Sequence, residues 1–323
     1  MAIVTNTFLT FSAVGNREDL ANTISNISPE NTPFMSNIGK GKASATLTEW
    51  QTDALAAAAA NAQLQGDEMT FTAVTPTVRV GNRTMISRKT VVVSGTQDAV
   101  DSAGRARELS YQMVKMSKEL KRDMEFNIIG VNQGGVTGDS TTAPKTASLT
   151  AWIKTNVAKA SGTGANPDWT SGVPAAANVR SDGTVRAFTE TILKAALSLC
   201  FTSGAEPTIL MTGPYNKGVV SSFSGIATRF RDVSAGKQAQ IIGAADVYVG
   251  DFGELKVVPN RFQRERDAWI LDPKMAAVLF LRPFQSIDLA KTGDAEKKAI
   301  LAEYALKVSN EAAHGLCADL VTS

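Results

Sequence analysis

Residues 94–130, SGTQDAVDSAGRARELSYQMVKMSKELKRDMEFNIIG, decide the fold. Leu109, Met113, Met116, Leu120, Met124 and Ile128 recur every three or four residues, which draws one apolar stripe along a helix. Between them stand Arg107, Glu108, Lys115, Lys118, Lys121, Arg122 and Glu125, which prefer water. Thr96 is the expected N-cap, with Asp98 and Asp101 near the positive end of the helix dipole. Gly130 is a natural stop. A helix over residues 97–129 would reach about 50 Å at ~1.5 Å per residue. Such a helix is a spine that carries different structures along its length.

Composition narrows the class. The chain has 323 residues, 43% hydrophobic and 20% charged, as a folded globular chain has. No apolar run approaches the ~18 residues that cross a bilayer. The first residues lack the basic start and apolar block of a signal peptide. A net charge of +2 excludes the strongly basic balance of a dedicated nucleic-acid binder. Cys200 and Cys317 have no CxxC partner and read as buried free thiols.

Outward from the spine, residues 1–43 are polar with scattered Phe8, Phe11, Phe34 and Ile38. Pro33, Gly39 and Gly41 argue against regular structure there. The segment is expected to be an arm that orders on a neighbouring chain. Residues 45–50, ATLTEW, alternate as a strand does. An Ala-rich linker over 54–65 and a Gly66-Asp67-Glu68 turn follow. The chain is expected to return as a strand over 71–79, weakened by Pro76, and then over 83–93 into the spine. A hairpin this long is marginal alone in water, so its partner is another molecule.

After the spine, residues 131–183 read as a long loop with one short helix over 149–160. Residues 184–202 form a helix, 206–213 a buried strand and turn, 214–223 a second helix, and 241–249 and 255–258 paired strands. The tail is expected to hold short strands at 268–271, 276–281 and 287–289. A half-buried strand follows over 300–309, and a last one over 313–321. Tail and spine pack together as an α+β fold.

Catalytic signatures are missing. The single histidine, His314, rules out a zinc site of several histidines, and there is no GxSxG elbow for a triad. Gly162-Thr-Gly164 lacks the third glycine of a dinucleotide loop, and no GxxxxGK[ST] occurs. Asp67 and Glu68 sit on a loop tip, where solvation is expected. Residues 261–266, RFQRER, read as a solvated or subunit-contact loop. The expected protein is no enzyme and has no cofactor or metal.

The order of parts (arm, long hairpin, spine, small α/β unit, closing strands) resembles the major capsid proteins of tailed phages, the Hong Kong 97-type fold. So do local stretches: ENTPFMSNIGKGKA from Glu30, TEWQTDAL from Thr48, VRVGNRTMISRKTVVVSG from Val78, GRARELSYQMVKMSKELKRDMEF from Gly104, ILDPKMAAVLFLRPFQSIDLAKTGD from Ile270 and EYALKVSNEAAHGLCADL from Glu303. The resemblance covers nearly the whole chain and is weakest over 131–183.

That resemblance implies an N-arm over 1–44, an E-loop hairpin over 45–93, and a P-domain spine with its following loop over 94–183. It also implies an A-domain over 184–260 and closing P-domain strands over 261–323. It implies a shell subunit that partners itself in hexamers and pentamers and touches packaged double-stranded DNA weakly and non-specifically. Further expected partners are scaffolding, portal and decoration proteins. No charged helical segment precedes the arm, which implies a separate scaffold or none. The expected location is the virion capsid, assembled in host cytoplasm, without a membrane. The alternative is the shell of an encapsulin-like nanocompartment holding a cargo enzyme.

Some members of that fold join subunits by a bond between a hairpin lysine and an asparagine. Here residues 45–78 hold no lysine, and Lys40, Lys42 and Lys89 lie outside the reach of the tip. The expected lock is non-covalent, with Asp67 and Glu68 of one subunit on basic residues of the next, drawn from Arg79, Arg83 and Arg88.

Overall fold

The computed structural model describes residues 28–69, 71, 73–100, 104, 107–223 and 247–323; expectations for 1–27, and for the strand start at 241–246, lie outside the described residues. From Ser28 the chain leads into a short helix, α1 (Pro33–Asn37), and a strand, β1 (Gly39–Lys42). This corrects the expectation of an arm without its own structure. Pro33 starts the helix where no N–H is needed. Phe34, Met35 and Ile38 are buried in the main core. Glu125, on the spine, accepts the free N–H groups of Phe34 (2.7 Å) and Met35 (2.9 Å). Asn260 donates to the same carboxylate at 2.8 Å. Burial raises the Glu125 carboxyl above its ordinary range, against the pull of these three donors.

Next come β2 (Leu47–Thr52), β3 (Val78–Arg83) and β4 (Met85–Ser94). The returning strand starts at Val78 and not near Phe71, because Pro76 has no N–H to give a ladder. β2 and β3 pair antiparallel from Leu47↔Arg83 to Thr52↔Val78. β4 leaves that ribbon and runs toward the spine.

The spine is shorter than its charge pattern suggests. One turn of helix, α2 (Gly95–Ala99), is capped by Ser94 Oγ and not by Thr96. Val100 is extended, Gly104 sits at φ +76°, and Arg107 is extended. The long helix is α3 (Glu108–Glu125), about 27 Å. Gly104 permits the break, since left-handed backbone strains any residue with a Cβ. Asp98 spans it, holding Arg107 at 2.6 Å and accepting the N–H of Leu109 at the start of α3. The helix widens into a π turn over Phe126–Gly130 and stops. Gly130 is required there because a Cβ would lie 2.2 Å from the carbonyl oxygen of Phe262.

Residues 131–183 contain α4 (Leu149–Trp152) and β5 (Val157–Ala158) and little other regular structure. They are packed and not loose: residues 146–153 are buried, and buried Thr146, Ser148 and Asn156 find hydrogen-bond partners. The remaining elements are α5 (Glu190–Thr202), β6 (Ile209–Thr212), α6 (Pro214–Ser221), β7 (Val247–Gly250), β8 (Gly253–Pro259), β9 (Ala268–Leu271), β10 (Ala276–Asp288), β11 (Ala295–Val308) and β12 (Gly315–Cys317). The expected strands at 276–281 and 287–289 are one strand, bulged on both sides of Arg282, next to Pro283, which cannot join a regular ladder. The last strand ends at Cys317, and Asp319 takes φ +61°.

Two sheets result. One has the order β1-β10-β11-β4, the other β5-β12-β9-β6-β8-β7. β11 is central, so apart from half-buried Leu301 it is buried on both faces along residues 299–306, where one wet face was expected. Leu120, Met124, Ile128, Ala302, Tyr304 and Leu306 share the main core with Phe34 and Met35. A second core under the six-stranded sheet holds Leu193, Cys200, Leu210, Ile270 and Cys317. Both cysteines are free and buried. His314 is fully buried, and its Nδ1 accepts the N–H of Asp272. Among the described residues no helix is long and apolar enough to cross a membrane.

Within the charged run at 261–266, Arg261 and Glu265 are exposed, while Arg264 and Arg266 are held inside the chain, which corrects the solvated reading for those two. Arg264 grips both oxygens of Asp182 at 2.7 and 2.6 Å, and Arg266 reaches Asp182 at 3.2 Å. Beside them Arg180 and Asp319 form a pair at 2.8 Å with no exposed surface on either side chain. Asp319 also accepts the N–H groups of Gly183 and Ala160. This clasp ties the packed loop, the tail and the strand entering β9 together.

Candidate inter-subunit contact site

The root of the hairpin is fixed to the body. Trp50 on β2 stacks on Trp152 of α4 at 5.4 Å, and Trp152 meets Trp169 edge-on at 5.1 Å. Lys307 lies over Trp50 and Lys154 over Trp169, which closes both ends of the aromatic stack. The fully buried Asn82 on β3 donates to the carbonyls of Ala147 and Leu306 and accepts the N–H of Ala147. Gly81 and Arg79 bond Gly172 through the backbone at 2.9 Å each.

Past Thr52 and Val78 the character changes. Among the described residues, 53–77 contain no helix or strand and are exposed. Leu64 is 82% exposed, Met69 89% and Phe71 100%. Leu55 and Val74 are as open. Large apolar side chains in water are costly at about 25 cal/mol per Å², and a contiguous set marks a contact surface.

The residue pair Asp67 and Glu68 lies at this tip, exposed and without a cationic partner among the described residues. Arg79 is on β3 and is held by Glu49 of β2 through two hydrogen bonds at 2.9 and 2.7 Å. Arg83 is half-buried at the root. Arg88 stands exposed on β4, and neither it nor Arg83 has an ion pair among the described residues. The structure therefore separates the five residues: two carboxylates at the free end, one neutralised arginine, and two free arginines near the body.

A family model of the SU10 major capsid protein matches residues 3–321 of this chain. The chain belongs to the SU10 major capsid protein family. The major capsid protein of Escherichia phage Phieco32 is 29% identical over 339 residues, covering 96% of each chain. In solved structures, the capsid of Cyanophage A-1(L) superposes with a TM-score of 0.68 at 12% identity, over 97% of this chain and 98% of that one. The capsid of a native GTA particle gives 0.62 at 13% identity, over 97% and 98%. These likenesses show the fold: α+β, of the Hong Kong 97 type.

The prominent feature among the described residues is the apolar, exposed extension over 53–77. Sequence reasoning found the carboxylates at its tip and overlooked Leu55, Leu64, Met69, Phe71 and Val74. Their signal was present as large apolar residues with neither helical nor strand period, set in an Ala-rich linker. Chymotrypsin treatment, which cuts after residues such as Phe71, Leu64 and Met69, tests the surface directly. Cleavage is expected within 53–77 in unassembled chains and is expected to be suppressed at least tenfold when the loop is covered by a neighbour. Equal cleavage in both states contradicts a covered loop.

Proposed function

We propose that this chain is the structural subunit of a tailed-phage head: copies of it form hexamers and pentamers of a closed shell around double-stranded DNA. The carrying observation is the rigidly rooted, apolar and exposed segment over 53–77 in a chain of a major capsid family. A segment that leaves its own body uncovered has its free-energy minimum against a second copy. Residues 1–44, 45–93, 94–183, 184–260 and 261–323 serve as arm, E-loop, spine region, A-domain and closing strands. Assembly takes place in the host cytoplasm, with scaffolding, portal and decoration proteins as further partners and DNA held by weak non-specific contacts. The chain acts by packing and not by catalysis. The phage relatives support a DNA-holding shell over a cargo compartment.

The contact between copies is non-covalent. Lys89, the lysine nearest the hairpin root, is engaged with Asp123 at 2.7 Å, and Lys40 and Lys42 are fixed on β1. Asp67 and Glu68 meet basic side chains of the next copy, drawn from Arg79, Arg83 and Arg88. An exposed pair contributes about 0–1 kcal/mol, repeated at every boundary of a shell. Particles boiled in detergent are expected to run as single chains, and 1 M salt is expected to loosen them. A ladder of covalent multimers contradicts this contact.

Purification of the chain from expressing cells, followed by negative-stain microscopy and analysis of the contents, tests the function. Closed particles are expected, with nucleic acid and not a second enzyme inside when the phage genome is present. A stable monomer under all conditions contradicts it.

A further inference from the structure

The turn over 263–267 carries buried polar atoms that the clasp leaves without hydrogen bonds. The Asp267 side chain has no exposed surface, and neither of its oxygens accepts a hydrogen bond among the described residues. Arg264 Nη1 stands 3.3 Å from Asp267 Oδ2 but is not aligned to donate, and it too has no hydrogen bond. Gln263 Oε1, Arg266 Nε, Asn216 Oδ1 and Arg180 Nε complete a set of seven such atoms. The other end of each side chain fixes it beside the turn. Gln263 Nε2 donates to the carbonyl of Asp267 at 2.8 Å. Asn216 Nδ2 donates to the carbonyls of Glu265 and Val321 at 3.0 and 3.2 Å. Arg266 Nη2 donates to the carbonyl of Gly183, and Arg180 Nη2 to Asp319, both at 2.8 Å. Asp267 lies within the field of Arg180 as well as that of Arg264. Buried polar atoms in folded chains are nearly always hydrogen-bonded, so a cluster of them points to a group that bonds them together.

We propose that the 263–267 turn encloses a binding site for ordered water, centred on the Asp267 carboxylate and bounded by Gln263, Arg264, Asn216 and Arg180. The mixture of atoms selects the ligand. Four of the seven accept (both Asp267 oxygens, Gln263 Oε1 and Asn216 Oδ1) and three donate. A metal cation serves acceptors alone and an anion serves donors alone, whereas water serves both. Charge agrees with this choice. Arg180, Arg264 and Arg266 are set against Asp182, Asp267 and Asp319, three against three, so the clasp holds no excess charge for an ion to neutralise. The site is also closed to bulk solvent: Gln263, Asn216, Arg180 and Asp267 are at most 5% exposed. A buried water makes about three hydrogen bonds, so about two waters serve the set. They carry the bonds of Asp267 to α6 through Asn216 and to the packed loop through Arg180, where direct bonds are not made. The site lies within one chain and is independent of assembly.

A crystal structure of the chain, or a cryo-electron microscopy map of its particles, that resolves ordered solvent tests the site. In the wild type at least one peak is expected at about 2.6–3.2 Å from an Asp267 oxygen and from a second of the seven atoms. An Asp267 carboxylate bonded directly to Arg264 or Arg180, with no peak beside it, overturns the proposal. So does a peak ringed by oxygens at about 2.0–2.6 Å, which is a metal ion. Asp267→Asn separates the two ligands again. The peak is expected to persist there, because an amide can still bond water, while a cation is lost with the charge that holds it; loss of the peak in a superposable variant overturns the proposal. If the variant does not fold, the wild-type map decides alone. Melting midpoints give a solution measurement. In EDTA and in sodium, potassium or magnesium chloride at matched ionic strength they are expected to agree. A rise of more than about 2 °C with one cation marks an ion in the site and overturns the assignment to water.

Discussion

Arg180→Ala is expected to lower the unfolding free energy by about 3–5 kcal/mol, the cost of stranding a buried charge. Its partner Asp319 has no exposed side-chain surface and receives the guanidinium at 2.8 Å. Without it, two backbone N–H groups and Arg266, at 3.9 Å, are left to hold the carboxylate. Burial works to raise the Asp319 carboxyl, but Arg180 and the N–H groups of Gly183 and Ala160 outweigh it and hold it below the ordinary range. A depressed native pKa contributes stability above about pH 4, lost as pH falls below it. Asp267, buried beside Arg264, behaves oppositely: burial pushes it up to about 6, against the pull of Arg264 and Arg180. Its contribution is full below about pH 4 and is lost as pH rises from there through about 6. The clasp therefore stabilises most near about pH 4. Urea titrations from pH 3 to 8 measure this. An Arg180→Ala midpoint equal to wild type at pH 7 contradicts the clasp.

Leu120→Ala is expected to cost about 2–5 kcal/mol. Leu120 has no exposed surface and lies in the core that also holds Phe34 of the arm and Tyr304 and Leu306 of the tail. Three distant parts of the chain lose packing together, so arm, spine and tail are expected to melt as one unit. Calorimetry measures this; an unchanged melting temperature contradicts the spine's central place.

The apolar stripe from Leu109 to Ile128 was legible because its period is physical: those positions face the core. The extension back to residue 97 rested on charge and an assumed cap. No stripe residue lies before Leu109, and Gly104 marks the break. The tail strands were readable from alternation, while their merger across Pro283 was not, since a bulge depends on the partner strand. The arm was misjudged because its apolar residues are few, and their burial depends on Glu125 some 90 positions away. The same holds for 131–183 and for 261–266, where polar residues are satisfied by distant partners such as Asp182 and Asp319. At the contact site, Asp67 and Glu68 stood out by charge. Leu64, Met69 and Phe71 did not, because no helical or strand period marks them and only their exposure in the fold sets them apart.

Residues 53–77 are expected to cover the next copy in a closed shell, and a cryo-electron microscopy map of assembled particles measures this. Closed rings of the chain are expected, with residues 53–77 lying on the adjacent copy. A map with that segment folded on its own subunit, or free in solvent while the particles hold together, would contradict it.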